Sequence, residues 1–287
     1  MNKPPVFHWT NDLKKDIKIV GMSLWIFVGL QILMGMKLGF IAGESWTEFA
    51  ALIVSVMSSG CVIYFLKSRF QMEFKKNPEF HAKEIVQGFA VMLLISFVWG
   101  IVSMLIDMIL NGIGLPALSQ DIAFGYSTFG NICLFISVVL VAPIVEESIF
   151  RGLIFKRLSQ YHTGFAMVFS SFCFACLHMN VVQGIPTFFM GLVLSYMYWK
   201  TDDLKTSIGI HMLNNAFAMV AMVWNVGVFA LAMDVLGCYV LVSKRKEIYA
   251  WAKGQKIPDE YISYAVKSPI MQGFFVLFLV MAVFSLL

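Results

Sequence analysis

Charge is what this sequence has least of. Asp, Glu, Lys and Arg make up 13% of its 287 residues against 59% hydrophobic ones, and the mean hydropathy is +0.79. A soluble domain carries roughly a quarter charged residues, so a water-facing globule is excluded and a chain that crosses a bilayer repeatedly is implied. Cysteine is too sparse for a disulfide framework. The five are an odd number, and Cys61, Cys133, Cys173 and Cys176 fall inside apolar runs, where they read as buried thiols. Cys173 and Cys176 have C-x-x-C spacing, but Leu177 follows where haem attachment needs His. There is no H-E-x-x-H zinc helix and no G-x-S-G serine elbow. On this reading Asp107 is the only aspartate deep in a span, which leaves an aspartyl dyad without its second member. No internal repeat is visible, against the inverted repeats of many transporters.

What is present is a series of apolar runs, near 19–41, 47–66, 85–110, 129–150, 164–180, 184–200, 206–224, 226–243 and 270–287. A spanning helix needs about 20 mostly apolar residues, so the expectation is an all-α polytopic bundle of eight to nine spans, forming a single transmembrane domain over 1–287. The first run starts near Ile19 behind a polar arm with Lys3, Lys14, Lys15 and Lys18; it is too long for a signal-peptide core and is expected to stay uncleaved. With the N-terminus inside and nine crossings, every Lys and Arg except Lys37 falls on the inner side, and 111–128 has none. That asymmetry predicts a cytoplasmic N-terminus. The net charge of +4 therefore speaks of orientation, and nucleic acid is not an expected partner. His178, Asn180, Gln183, Gly184 and Pro186 suggest that 165–186 breaks or re-enters.

A few polar residues stand where lipid should reject them: Asp107, Glu146, Glu147, Arg151, His178, His211, Asn214 and Asn215. A charged one costs on the order of 2.5–3.5 kcal/mol at a helix centre, so each must pair, meet water or work. Glu147 and Arg151 are four apart and share a helical face. Glu146 points about 100° away and has no local partner. The bland alternative is that both acids mark the inner end of span four. Phe174 and His178 share a face, where the bland alternative is a satisfied core histidine; His211 and Asn215 also share a face, where it is an interhelical hydrogen bond, a role that Asn214 could fill instead. Taken together, a carboxylate, two imidazoles and an amide on three spans are parts for hydrolysing an amide bond.

Three ordered motifs carry a resemblance. E-E-x-x-x-R (Glu146, Glu147, Arg151), F-x-x-x-H (Phe174, His178) and H-x-x-x-N (His211, Asn215) resemble those of the CAAX protease and bacteriocin-processing (CPBP, or Abi) family of intramembrane endopeptidases. The likeness covers about 129–224; the extra spans of 19–110 and 226–287 carry no such motif. It implies that Glu146 activates water with His178, that His211 and Asn215 face the oxyanion, and that Glu147, Arg151 and Phe174 support the site. It implies either a divalent metal such as zinc on Glu146, His178 and His211, or no metal. The implied substrate is a peptide or membrane-associated protein, cut near the inner face of what is expected to be a bacterial cytoplasmic membrane. The alternative class is a non-catalytic membrane protein, a proton-coupled transporter or a bacteriocin self-immunity or scaffold protein. One tension stands: on nine clean crossings, Glu146 and His211 fall near the inner face while His178 lies about 20 Å from it.

Overall fold

The computed structural model describes residues 9–42, 46–74, 80–114 and 127–285. Lys3, Lys75, Lys76 and most of 111–128 lie outside the described residues. The chain forms α1 (Trp9–Ala42), α2 (Thr47–Phe70), α3 (Ala82–Gly112), α4 (Thr128–Leu158) and α5 (Thr163–Cys176). It continues with α6 (Val181–Thr201), α7 (Leu204–Ala221), α8 (Gly227–Gly254), α9 (Asp259–Lys267) and α10 (Pro269–Phe284). No strand occurs among the described residues, as the all-α expectation requires.

Polar caps start α6 and α7, and left-handed residues precede those caps. Asn180 Oδ1 accepts from the Val182 and Gln183 amides to open α6, and Asp203 Oδ1 accepts from the Lys205 amide to open α7. Met179 and Asp202, at φ 51° and 49°, turn the chain where the preceding helix stops.

Among the described residues six helices are long and apolar enough to cross a membrane, with a seventh if α9 and α10 form one span bent by 72°. Eight to nine is therefore too many by that measure. The run at 164–180 becomes the 14-residue α5, about 21 Å long against a hydrocarbon core of about 30 Å. The run at 206–224 becomes α7, whose Lys205, His211, Asn214 and Asn215 keep it below the apolarity of a span. The first falls short in length and the second in apolarity. The expected break in 165–186 is the turn at Leu177–Asn180.

α1 packs on α2, α3 on α8 and α5 on α6. A core of Leu13, Ile17, Leu66, Phe150, Ile154, Phe165 and Phe274 ties α1, α2, α4, α5 and α10 together. Large apolar side chains such as Met108, Val228, Leu231 and Phe284 face outward, where lipid takes the place of water. Cys61 is among the outward-facing residues, against the expectation of a buried thiol, while Cys133, Cys173 and Cys176 are buried and free.

One polar knot fixes α1 to the α4–α5 turn. Arg157 Nε donates to Asp16 Oδ2 at 2.6 Å and the Tyr161 hydroxyl donates to the same oxygen at 2.7 Å. Burial and that hydrogen bond hold the Tyr161 phenol above its ordinary range, so it remains a donor at any physiological pH. Asp16→Ala is expected to destabilise the protein by about 2–4 kcal/mol, read as a lower midpoint of unfolding, because Arg157 and Tyr161 both lose their acceptor.

Candidate active site

α4 is not a plain helix. π-helical stretches at Ile136–Val141 and Ser148–Phe155 bracket the α-turns of Ala142–Glu147, which contain Pro143. Such widened turns gather at functional sites because the extra residue per turn re-aims side chains. Val138, Ala142 and Glu146 emerge on one face and line a cavity of about 830 Å³. The cavity's other walls include Phe174, His178, Gln183, Thr187, His211, Asn214 and Asn215, from α5, α6, α7 and the turn between α5 and α6. Residues on the three spans named from sequence thus converge.

The two adjacent acids have opposite surroundings. The Glu147 side chain is 0% exposed, and its Oε1 accepts from Arg151 Nη1 at 2.8 Å. The same oxygen lies 3.0 Å from His211 Nδ1, a contact the sequence reading did not foresee. Arg151 is equally buried and gives Nη2 to the Gly191 carbonyl at 3.0 Å. Gly191 must be glycine for that approach: a Cβ there would stand 2.9 Å from Ser171 Cβ and 3.2 Å from Arg151 Nη2. Its signal in sequence was small-residue spacing with Ser195, four further on. The Glu146 side chain keeps 27% of its surface exposed, and its Oε2 lies 3.9 Å from His211 Nε2. One carboxylate is locked into the scaffold and the other faces the cavity.

Phe174 organises the imidazoles. Its ring meets His178 edge-on at 5.3 Å and His211 at 5.9 Å, and the Arg151 guanidinium lies over it at 4.7 Å. His178 follows α5 and has Nδ1 3.2 Å from the Phe174 carbonyl, which leaves Nε2 for the cavity. The tension over depth disappears because α4 runs on to Leu158 instead of stopping near 150. Glu146 lies 12 residues, about 18 Å, before Leu158, and His178 lies 15 residues, about 22 Å, after Thr163. The two helices share the turn between them, so the residues come level. Glu146 is therefore mid-helix, and the acids do not mark the inner end of α4.

Asn215 Nδ2 donates to the Val138 carbonyl at 2.9 Å, and Asn214 Nδ2 to Asn215 Oδ1 at 3.4 Å. Asp107, near the end of α3, does not line the cavity. Neither does Asp234, a second aspartate that the sequence reading passed over, buried in α8. Glu146 and His178 also border a second cavity of about 410 Å³, walled mainly by apolar residues of α1, α2 and α10, among them Leu24, Phe27, Ile32 and Leu277. Among the described residues no three His, Cys, Asp or Glu side chains are disposed to hold a metal ion, and Glu146, His178 and His211 do not form a ligand set in this arrangement.

Residues 128–217 match the family model of the Rce1-like type II CAAX prenyl endopeptidases. The chain is similar to the membrane-embedded CAAX protease MroQ of Staphylococcus aureus, 27% identical over 55% of this chain and 65% of that protein. It is similar to the UPF0177 protein YaiF of Lactococcus lactis, 25% identical over 63% and 82%. It is also similar to the putative membrane peptidase YdiL of Bacillus subtilis, 30% identical over 28% and 34%. The match thus spans just under two thirds of MroQ. No solved structure matches the chain. The matched segment contains all three motifs and every cavity-facing polar residue considered above except those of α3, so the likeness to the CAAX protease and bacteriocin-processing family is concentrated on the cavity.

Proposed function

We propose that this protein is an intramembrane endopeptidase and that Glu146 is its general base. The observation that carries the reading is the convergence of a partly exposed carboxylate with His178, His211 and Asn215 on one cavity inside an apolar bundle. Glu146 takes a proton from a water that His178 Nε2 helps to hold. The water oxygen attacks the carbonyl carbon of the scissile peptide bond, and charge moves to the carbonyl oxygen. His211, held through Nδ1 by Glu147 Oε1, faces that oxyanion with Nε2, and Asn215 offers its second amide hydrogen. As the intermediate collapses the C–N bond breaks, and Glu146 returns its proton to the leaving amine. The scissile bond lies between the polar cavity and the apolar one, which supports a substrate with a bulky apolar side chain beside the bond. The asymmetry of basic residues supports a cytoplasmic N-terminus in a bacterial membrane, with the cavity buried well away from the basic ends of α4, α6 and α7.

The test is a peptide library presented to the purified protein in liposomes, with products identified by mass spectrometry. Wild type is expected to release defined fragments, and Glu146→Gln and His178→Ala to release none above background. Equal fragments from all three would end the reading. Because the side chains in hand do not make a ligand set, no step above is routed through a metal. Cleavage is accordingly expected to persist after chelation with EDTA or 1,10-phenanthroline. Loss of cleavage that zinc restores would instead give Glu146, His178 and His211 a ligand role.

A further inference from the structure

Asn215 sits in the cavity, yet one of its amide hydrogens is spent on a backbone carbonyl inside α4. A helical carbonyl should need no such help. The reason lies in the widened turn. The Ala142 amide donates to the Ser137 carbonyl, five residues back, which is π-helical register. In that register the next carbonyl, Val138, looks to the amide of residue 143. Residue 143 is proline and has no N–H. The Val138 carbonyl is left without a backbone donor on the very face that carries Glu146, and Asn215 Nδ2 fills the vacancy at 2.9 Å from another helix.

We propose that Pro143 and Asn215 form a single positioning device: the proline exposes the Val138 carbonyl, and that carbonyl anchors the Asn215 amide and with it α7 against α4. The anchor acts in two directions. It orients the remaining N–H of Asn215 into the cavity, and it holds α7, with His211 one turn away, at a fixed height beside Glu146. Pro143 touches no reacting atom; it acts through the acceptor it creates. The catalytic consequence rests on the peptidase reading, whereas the linkage between the two residues does not.

The experiment is a double-mutant cycle on the full-length protein in detergent, with thermal unfolding as one readout and cleavage kinetics as the other. Pro143→Ala supplies the missing N–H, so the Val138 carbonyl is satisfied within α4 and no longer needs Asn215. Asn215→Ala is expected to lower the unfolding midpoint clearly in the wild-type background and by less than half as much in the Pro143→Ala background. Pro143→Ala is expected to lower kcat at least about tenfold with KM within about twofold, since the misplaced groups act in the transition state and not in substrate binding. Equal loss of stability in both backgrounds, or an unchanged kcat in Pro143→Ala, would overturn the proposal. If the protein cleaves nothing, the peptidase reading fails by itself and the stability cycle still decides the linkage. If Pro143→Ala does not accumulate, Asn215→Asp serves: it is isosteric but has no hydrogen to give. It should lose stability as Asn215→Ala does, and full retention of stability by Asn215→Asp would sink the idea.

Discussion

Glu146→Gln is expected to lower the rate of peptide cleavage by about 10²–10⁴-fold, the range that a positioned general base contributes. The substitution keeps the volume and the hydrogen-bonding reach of the side chain and removes only its ability to accept a proton from water. Its effect on folding should be small, because the Glu146 side chain is 27% exposed to the cavity and its nearest ionic neighbour, His211 Nε2, is 3.9 Å away. That neighbour is held from the other side by Glu147, so His211 keeps its place when Glu146 is neutralised. The informative comparison is with Glu147→Gln, one position along and a third of a turn round the helix. There the carboxylate is buried and shared between Arg151 and His211, so stability and activity should fall together. A Glu146→Gln protein that unfolds at the wild-type temperature and cleaves at the wild-type rate would remove the acid from the reaction.

The second large effect is expected at Arg151. Arg151→Met should destabilise the protein by about 3–5 kcal/mol, measured by chemical or thermal unfolding in detergent, because it strands the Glu147 carboxylate in a site with no exposed surface. It also leaves the Gly191 carbonyl without its donor and the Phe174 ring without the guanidinium above it. The pair is more costly to break than to replace. The double substitution Glu147→Gln/Arg151→Met removes both charges and should recover much of the lost stability. It should not recover cleavage, since His211 Nδ1 then loses the carboxylate that fixes its orientation. Recovery of both properties would mean that the buried pair has no part in the chemistry.

Spacing of four along a helix was legible without coordinates, and it identified Glu147 with Arg151, Phe174 with His178 and His211 with Asn215. The pairing of Glu147 and Arg151 is found at 2.8 Å. What could not be read was how the faces meet. Nothing in the sequence says that Glu147, rather than Glu146, holds His211, or that Gly191 must be bare to admit Arg151. The end of α4 was misjudged for a related reason. Arg151 and Lys156 look like the edge of a membrane, but Arg151 is wholly buried and neutralised in place, so the helix passes through it to Leu158. Span counting failed at α5 because the turn at Leu177–Asn180 stops an apolar helix at 14 residues, and at α7 because the polar residues that make the cavity also erase its hydropathy signal.

A helix that widens into π-turns is carrying one residue more than regular winding would need. α4 does so twice, on either side of the two glutamates. Chain length there is thus a constraint separate from residue identity: removing any one residue between Ile136 and Val141 would let the upstream turns relax into ordinary α-helix. The segments on either side would keep their heading, because a widened turn absorbs its surplus residue locally, but the Val138 carbonyl offered to Asn215 would be re-paired or re-aimed. Such a deletion would leave every motif intact in the alphabet and still loosen α7 from the helix that carries the acid of the first motif.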